Sequence, residues 1–183
     1  MSFSQSFPCM LELTNGGHAL IDWSDYTKVC GRSWRRYMVG KKTKNPYVAA
    51  TTHTKADGKR KHIMLYLHRV IMDAPIGRDV DHINRDTLDN RRANLRIASR
   101  GENLSNSPRP LGGSGYRGVT KTPEGNFQAR VGRNGYVGRF DVAEEAARAY
   151  DAEAHKRYGE FATLNFPHER TSAAQTADNK VKD

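Results

Sequence analysis

An Asp-His pair at Asp81-His82, an Asn twelve residues after the His at Asn94 and a second Asn nine later at Asn103 supply what phosphodiester hydrolysis requires. That reaction needs a base to deprotonate water and a positive centre to stabilise charge on the phosphate and the leaving oxygen. His82 can be the base, because an unperturbed imidazole, with a pKa of ~6.5, is largely neutral at pH 7. Asp81 and Asn103 offer oxygen only, which suits Mg2+ or Mn2+ held by few protein ligands, with water and phosphate completing the shell. Zinc would prefer more His and Cys, and the two cysteines, Cys9 and Cys30, form neither a CxxC pair nor a disulfide framework.

The surrounding pattern positions these groups. Arg78 to Ile83 alternates polar and apolar side chains as a half-buried strand does, and Asn84-Arg85-Asp86 reads as a loop. Leu95-Arg96-Ile97-Ala98 reads as the returning strand. Ser99 stands three residues before Glu102, a capping-box signature that starts a helix and puts Asn103 in its first turn. Asn90, in "LDNRR", reads as a loop or helix-start residue rather than a ligand.

Strand, loop, strand and helix in this order resemble the ββα-metal fold of the HNH endonucleases, specifically the phage and intron-encoded homing type. The residues "VDHINRDTLDNRRANLRIASRGEN" set His82, Asn94 and Asn103 at the H, N and N positions. The resemblance implies Asp81 and Asn103 as metal ligands, His82 as general base, and Asn94 as a site residue that braces the loop by hydrogen bonds. His68, in "LHRVI", resembles the His of the segment preceding the nuclease core in this family; a structural and a catalytic role are both open to it.

A second constellation follows. From Tyr116 to Phe140 three strand-like runs are separated by Pro123-Glu124-Gly125 and Asn134-Gly135, and Asn-Gly is a strong hairpin signal. Asp141 with Glu144 reads as a helix cap, and Ala143, Ala147, Tyr150, Ala154 and Tyr158 recur at helical spacing before Gly159. Residues 115–140 carry five basic side chains against one acidic, whereas 141–160 carry six acidic against three basic. A polyanion should therefore meet the sheet and be repelled by the helix.

"YRGV", "AEEAARAYD" and the closing "LNFP" carry a resemblance to the plant ethylene-response-factor (APETALA-type) DNA-binding domain, in which a three-stranded sheet enters the major groove. It implies Arg117, Thr120, Thr122, Arg130, Gly132 and Tyr136 as DNA-facing, and strand alternation adds Gln128 while turning Phe127, Ala129 and Val131 to the helix. Arg133 joins the DNA-facing set. The plant domains often have Arg at the places of Thr120, Thr122 and Gly132 and Trp at that of Tyr136, so plant target sequences do not transfer.

At 183 residues with a net charge of +10, the chain has the electrostatic footprint of a nucleic-acid binder. Residues 1–60 hold ten basic and four acidic side chains, among them Arg32, Arg35, Arg36, Lys41, Lys42, Lys44, Lys55, Lys59 and Arg60. Runs at 18–21, 34–39, 47–50 and 62–67 read as an antiparallel meander, resembling the strands that precede the nuclease core in phage HNH proteins, either a phosphate-contacting sheet or a purely structural one. "SNSPRPLGGSG" reads as a linker. No apolar run or signal peptide directs the chain to a membrane, so an intracellular, soluble protein is expected, in phage-infected bacterial cytoplasm if the family resemblance holds.

The expected architecture is α+β: an N-terminal β meander leading into an HNH core (1–105, core about 62–105), a linker (106–114), a three-stranded antiparallel sheet packed on one helix (115–167) and a disordered tail (168–183). The expected function is a site-directed, metal-dependent (Mg2+ or Mn2+) homing endonuclease that nicks double-stranded DNA as a monomer. The alternative is a sequence-specific DNA-binding regulator with an inactive core. A non-catalytic RNA-binding protein is weaker, because no aromatic stacking platform of the RRM type is present.

Overall fold

The computed structural model describes residues 7–38, 46–56, 59–107, 111 and 113–167. The chain divides into two compact units, Met1–Asn103 and Leu104–Asp183.

In the first unit, β1 (Pro8–Glu12) and β2 (His18–Asp22) form an antiparallel hairpin whose alternation buries Leu11, Ala19 and Ile21. A 3-10 turn at Trp23–Asp25 and a short helix α1 (Tyr26–Val29) follow. Strands β3 (Arg35–Tyr37), β4 (Tyr47–Ala56) and β5 (Lys59–Tyr66) then make a separate three-stranded antiparallel sheet. The N-terminal strands are thus antiparallel as expected, but they form two sheets rather than one meander. The run at 18–21 pairs with the unforeseen β1 because the helical turns at 23–29 carry the chain away before β3.

Helix α2 (Leu67–Ile71), strands β6 (Asp79–His82) and β7 (Leu95–Ala98), and helix α3 (Arg100–Asn106) complete the expected strand, loop, strand, helix series. β6 and β7 pair antiparallel from Asp79 opposite Ala98 to His82 opposite Leu95. The capping box forms: Glu102 Oε2 accepts from the Ser99 N–H at 2.6 Å and Ser99 Oγ from the Glu102 N–H at 3.3 Å. Val80 and Leu95 join Ile21, Val29, Trp34, Val48, Leu67 and Ile71 in one core, so the N-terminal strands and the nuclease-like segment stabilise each other. Each such side chain contributes ~1.5–3 kcal/mol when fully buried.

The loop between β6 and β7 is held by residues far away in sequence. Leu20 on β2 donates to Leu88 O at 2.8 Å and accepts from Asn90 N at 2.7 Å. Arg92 N donates to Asp22 at 2.8 Å, and the Arg92 guanidinium bonds both carboxylate oxygens of the buried Asp25 at 2.7 and 2.9 Å.

In the second unit, β8 (Val119–Lys121), β9 (Phe127–Arg130) and β10 (Tyr136–Phe140) form a three-stranded antiparallel sheet with β9 central. Helix α4 (Ala143–Tyr158) packs on it through Ala146, Ala147, Tyr150 and Ala154, against Val119, Ala129 and Val131. The small alanines permit close approach. So does Gly118, at φ +72°, where an added Cβ would lie 2.2 Å from the Tyr150 ring. The expected Asp141 cap does not form: Val142 occupies the cap position without a side-chain bond, and Asp141 accepts from Asn126 Nδ2 at 2.6 Å instead. The "LNFP" segment is fastened by Asp151, whose carboxylate accepts from the N–H groups of Asn165 and Phe166, both at 2.8 Å.

The unit boundary falls within α3, and Ser105 and Asn106, expected to begin a linker, are helical and buried. The expected tail at 168–183 lies outside the described residues. Among the described residues no helix is long and apolar enough to cross a membrane.

Candidate active site and DNA-facing sheet

His82, at the end of β6, is 5% exposed, with Nε2 3.4 Å from Asn90 Oδ1. Asn90 is fully buried, and its Nδ2 donates to Thr87 O at 3.2 Å, which turns its carbonyl oxygen toward the imidazole. That oxygen only accepts, so the contact needs the proton on Nε2 and makes Nδ1 the basic nitrogen. Burial pulls the His82 pKa below its ordinary value, with the Asn90 contact and the Asp81, Asp86 and Asp89 carboxylates opposing. His82 is therefore neutral at pH 7, as a general base must be.

The oxygen donors divide between two partners. Asp81 lies directly opposite Arg96 on β7, and its Oδ2 accepts from Arg96 Nε at 2.9 Å and pairs with Nη2 at 2.8 Å. Asn103, in the first turn of α3, donates through Nδ2 to Asp79 Oδ2 at 2.8 Å, and Arg100 reaches the same oxygen at 3.3 Å. The Asn103 hydrogen bond, with Arg100 assisting against partial burial, holds the Asp79 carboxyl below its usual range. Sequence reasoning named Asp81 and Asn103 and passed over Asp79, which bonds the helix residue. Strand periodicity was the available signal, since residues two apart share a face.

These residues fit a hard cation in chemistry: two carboxylates on β6 and the amide oxygen of Asn103, with the Asn103 amide nitrogen turned to Asp79. No group of three or more His, Cys, Asp or Glu among the described residues is arranged to hold a metal. A cation here would have few protein ligands, as Mg2+ does.

Asn94 braces the loop. Its Oδ1 accepts from Asn84 N at 2.9 Å and its Nδ2 donates to Asp89 O at 2.8 Å. Beside β6 a pocket is lined by Tyr47, Tyr66, His68, Arg69, Asp79, Val80, Arg100 and Asn103. Of the N-terminal basic residues, Arg32, Arg35 and Arg36 are exposed, as are Lys55 and Arg60 on the β4–β5 hairpin. Lys41, Lys42 and Lys44 lie outside the described residues.

On the second unit's sheet, cross-strand register sets Thr120, Gln128 and Arg139 in one row. Arg130 and Tyr136 form the next, the guanidinium 5.8 Å from the ring centroid. Thr120, Arg130, Arg133 and Tyr136 are exposed, as is Gly132; Gln128 and Thr122 are half-buried. Arg139 is a DNA-facing candidate that the sequence reading counted as charge but did not single out. Arg117 is a correction. It is 7% exposed and turned inward, donating to Tyr150 Oη at 3.0 Å, Ser107 O at 2.9 Å and Ser105 O at 2.7 Å. The last carbonyls of α3 lack helical partners, and this guanidinium satisfies that of Ser105 together with Ser107 O just beyond the helix.

Residues 65–105 match the family described as HNH endonuclease. An uncharacterized HNH endonuclease of Acanthamoeba polyphaga mimivirus is 33% identical over 105 residues, 55% of this chain and 54% of that protein. An ethylene-responsive transcription factor of Arabidopsis thaliana is 49% identical over 57 residues, 28% of this chain and 22% of that one. Another, from Nicotiana tabacum, is 42% identical over 72 residues, 35% of this chain and 32% of its own. No solved structure matches the chain. The chain thus spans about half of the mimivirus protein and a third or less of these plant factors, and it joins a segment at residues 65–105 that matches the HNH endonuclease family to one similar to ethylene-responsive transcription factors.

Proposed function

We propose that this protein is a metal-dependent endonuclease of the homing type that nicks double-stranded DNA as a monomer, with the HNH segment cutting and the C-terminal sheet selecting the site. The observation that carries the reading is the placement of His82: buried, neutral, its Nε2 directed by Asn90, at the end of the strand that also bears Asp79 and Asp81. His82 takes the proton of the attacking water at Nδ1. Asp81 and Asn103, with Asp79 beside Asn103, hold Mg2+ or Mn2+, which supplies charge stabilisation at the phosphate. Asn94 keeps the loop in the shape that sets Asn90 and His82. Thr120, Thr122, Gln128, Arg130, Arg133, Tyr136 and Arg139 meet the duplex, and Arg130 is the side chain best suited to a guanine edge.

One catalytic centre per chain favours a nick over a double-strand break. The test is incubation of purified protein with supercoiled plasmid in Mg2+, Mn2+ or EDTA. Conversion to open circles in either metal and none in EDTA is expected. Binding without cleavage in both metals would instead favour the regulator with an inactive core.

A further inference from the structure

The pocket beside β6 is lined by an imidazole other than that of His82. His68, in the first turn of α2, is 7% exposed and boxed by three rings: Tyr66 near-parallel at a centroid distance of 5.7 Å, Tyr47 at 5.4 Å and His82 edge-on at 5.2 Å. Its Nδ1 is buried with no hydrogen-bond partner. Leaving a buried polar nitrogen unpaired is unfavourable, and a phenyl ring would fill the same aromatic box without that cost. Nδ1 is sealed off, so any ligand contact of this ring falls to Nε2. The residues on its open side are Asp79, Asn103, Arg69 and Arg100. Arg69 is fixed by bonds to the carbonyls of Arg78, Ala74 and Pro75, so it presents a stationary positive charge, while Arg100 is largely exposed.

We infer that His68 is a second catalytic imidazole, whose Nε2–H donates to a non-bridging oxygen of the substrate phosphodiester held in this pocket by Arg69 and Arg100. The inference rests on the endonuclease reading and assigns His68 a task separate from that of His82. Burial and the neighbouring His82 push the His68 pKa down to about 3, so the ring keeps a single N–H at neutral pH and does not compete as a proton acceptor for water. A preorganised donor aimed at phosphate charge acts most strongly as that charge grows in the transition state.

The experiment compares full-length wild type, His68→Phe, His68→Gln and His82→Ala in single-turnover nicking of supercoiled DNA at limiting and saturating Mg2+. Melting curves and DNA affinity in EDTA are measured alongside. His68→Phe is expected to melt at or above the wild-type temperature, bind DNA with unchanged affinity, and nick ~10²-fold more slowly at saturating Mg2+. His68→Gln, which keeps an N–H donor, should recover part of the rate. Wild-type nicking by His68→Phe overturns the inference, as does a marked fall in its melting temperature, which makes the residue structural. A defect abolished by excess Mg2+ also overturns it, by assigning the imidazole to the cation. If wild type itself does not nick, the endonuclease reading falls and takes the inference with it; a nicking wild type beside a lost His82→Ala activity and an unaffected His68→Phe removes the inference alone.

Discussion

Asn103 donates its amide proton to Asp79, joining the first turn of α3 to β6 two residues before Asp81. The bond fixes which way the Asn103 carbonyl oxygen points. Asp79→Ala is expected to lower nicking ~10–100-fold and to move the Mg2+ dependence to higher concentration, the usual scale for losing a residue that orients a ligand. An unchanged Mg2+ titration in this variant would show that Asp79 does not orient Asn103.

His82→Ala removes the buried, neutral imidazole at the end of β6. Nicking should drop ~10²–10⁴-fold with DNA affinity nearly unchanged, since the loss falls on proton transfer. Wild-type rates in the variant would reassign the base.

Asn90 and Asn94 should separate in their effects. Asn90→Ala removes the oxygen that faces His82 Nε2 and is expected to slow nicking ~10–100-fold. Asn94→Ala leaves Asn84 N and Asp89 O unpaired and is expected to lower folding stability by ~1–3 kcal/mol. Urea unfolding and nicking rates on both proteins test this; equal stability losses with equal rates would remove the special role of Asn90.

The acid limit of stability should depend on His68. Its folded pKa of about 3 lies below the unfolded value, so the unfolded chain binds the proton more readily and protonation destabilises the fold. The His68 contribution is fully present above the unfolded pKa of ~6.5 and is lost as pH falls toward 3, amounting to ~2 kcal/mol between pH 7 and pH 5. His68→Phe should lose correspondingly less stability over that interval in urea titrations, and parallel losses in both proteins would contradict the shift.

Two arginines of the second unit should behave oppositely. Arg117→Ala leaves the buried Ser105 carbonyl, the half-buried Ser107 carbonyl and the Tyr150 hydroxyl without this guanidinium, and is expected to destabilise by ~2–4 kcal/mol. Arg130→Ala, on the exposed face, should leave melting unchanged and cost ~1–3 kcal/mol of discrimination between target and scrambled duplexes at one salt concentration. If Arg117→Ala melts like wild type, its inward bonds carry no weight in the fold.

The sequence alone determined those features that arise within a few residues. Polar–apolar alternation gave the strands around Asp81-His82 and Leu95–Ala98, the Ser99–Glu102 pair gave the start of α3, and the turn residues with the spaced alanines gave the second sheet and its helix. Tertiary structure decided which group each side chain meets. Asn90 stands against His82 because Leu20, some seventy residues earlier, pairs with the loop, and no local pattern encodes that pairing. Asn103 reaches Asp79 because α3 returns beside β6, a placement the helix signal does not specify. Arg117 had equal means, as a sequence letter, to bind phosphate or to satisfy stranded carbonyls; the buried end of α3 beside it settled the matter, because buried carbonyls without partners are costly and a guanidinium with several donors removes that cost in place.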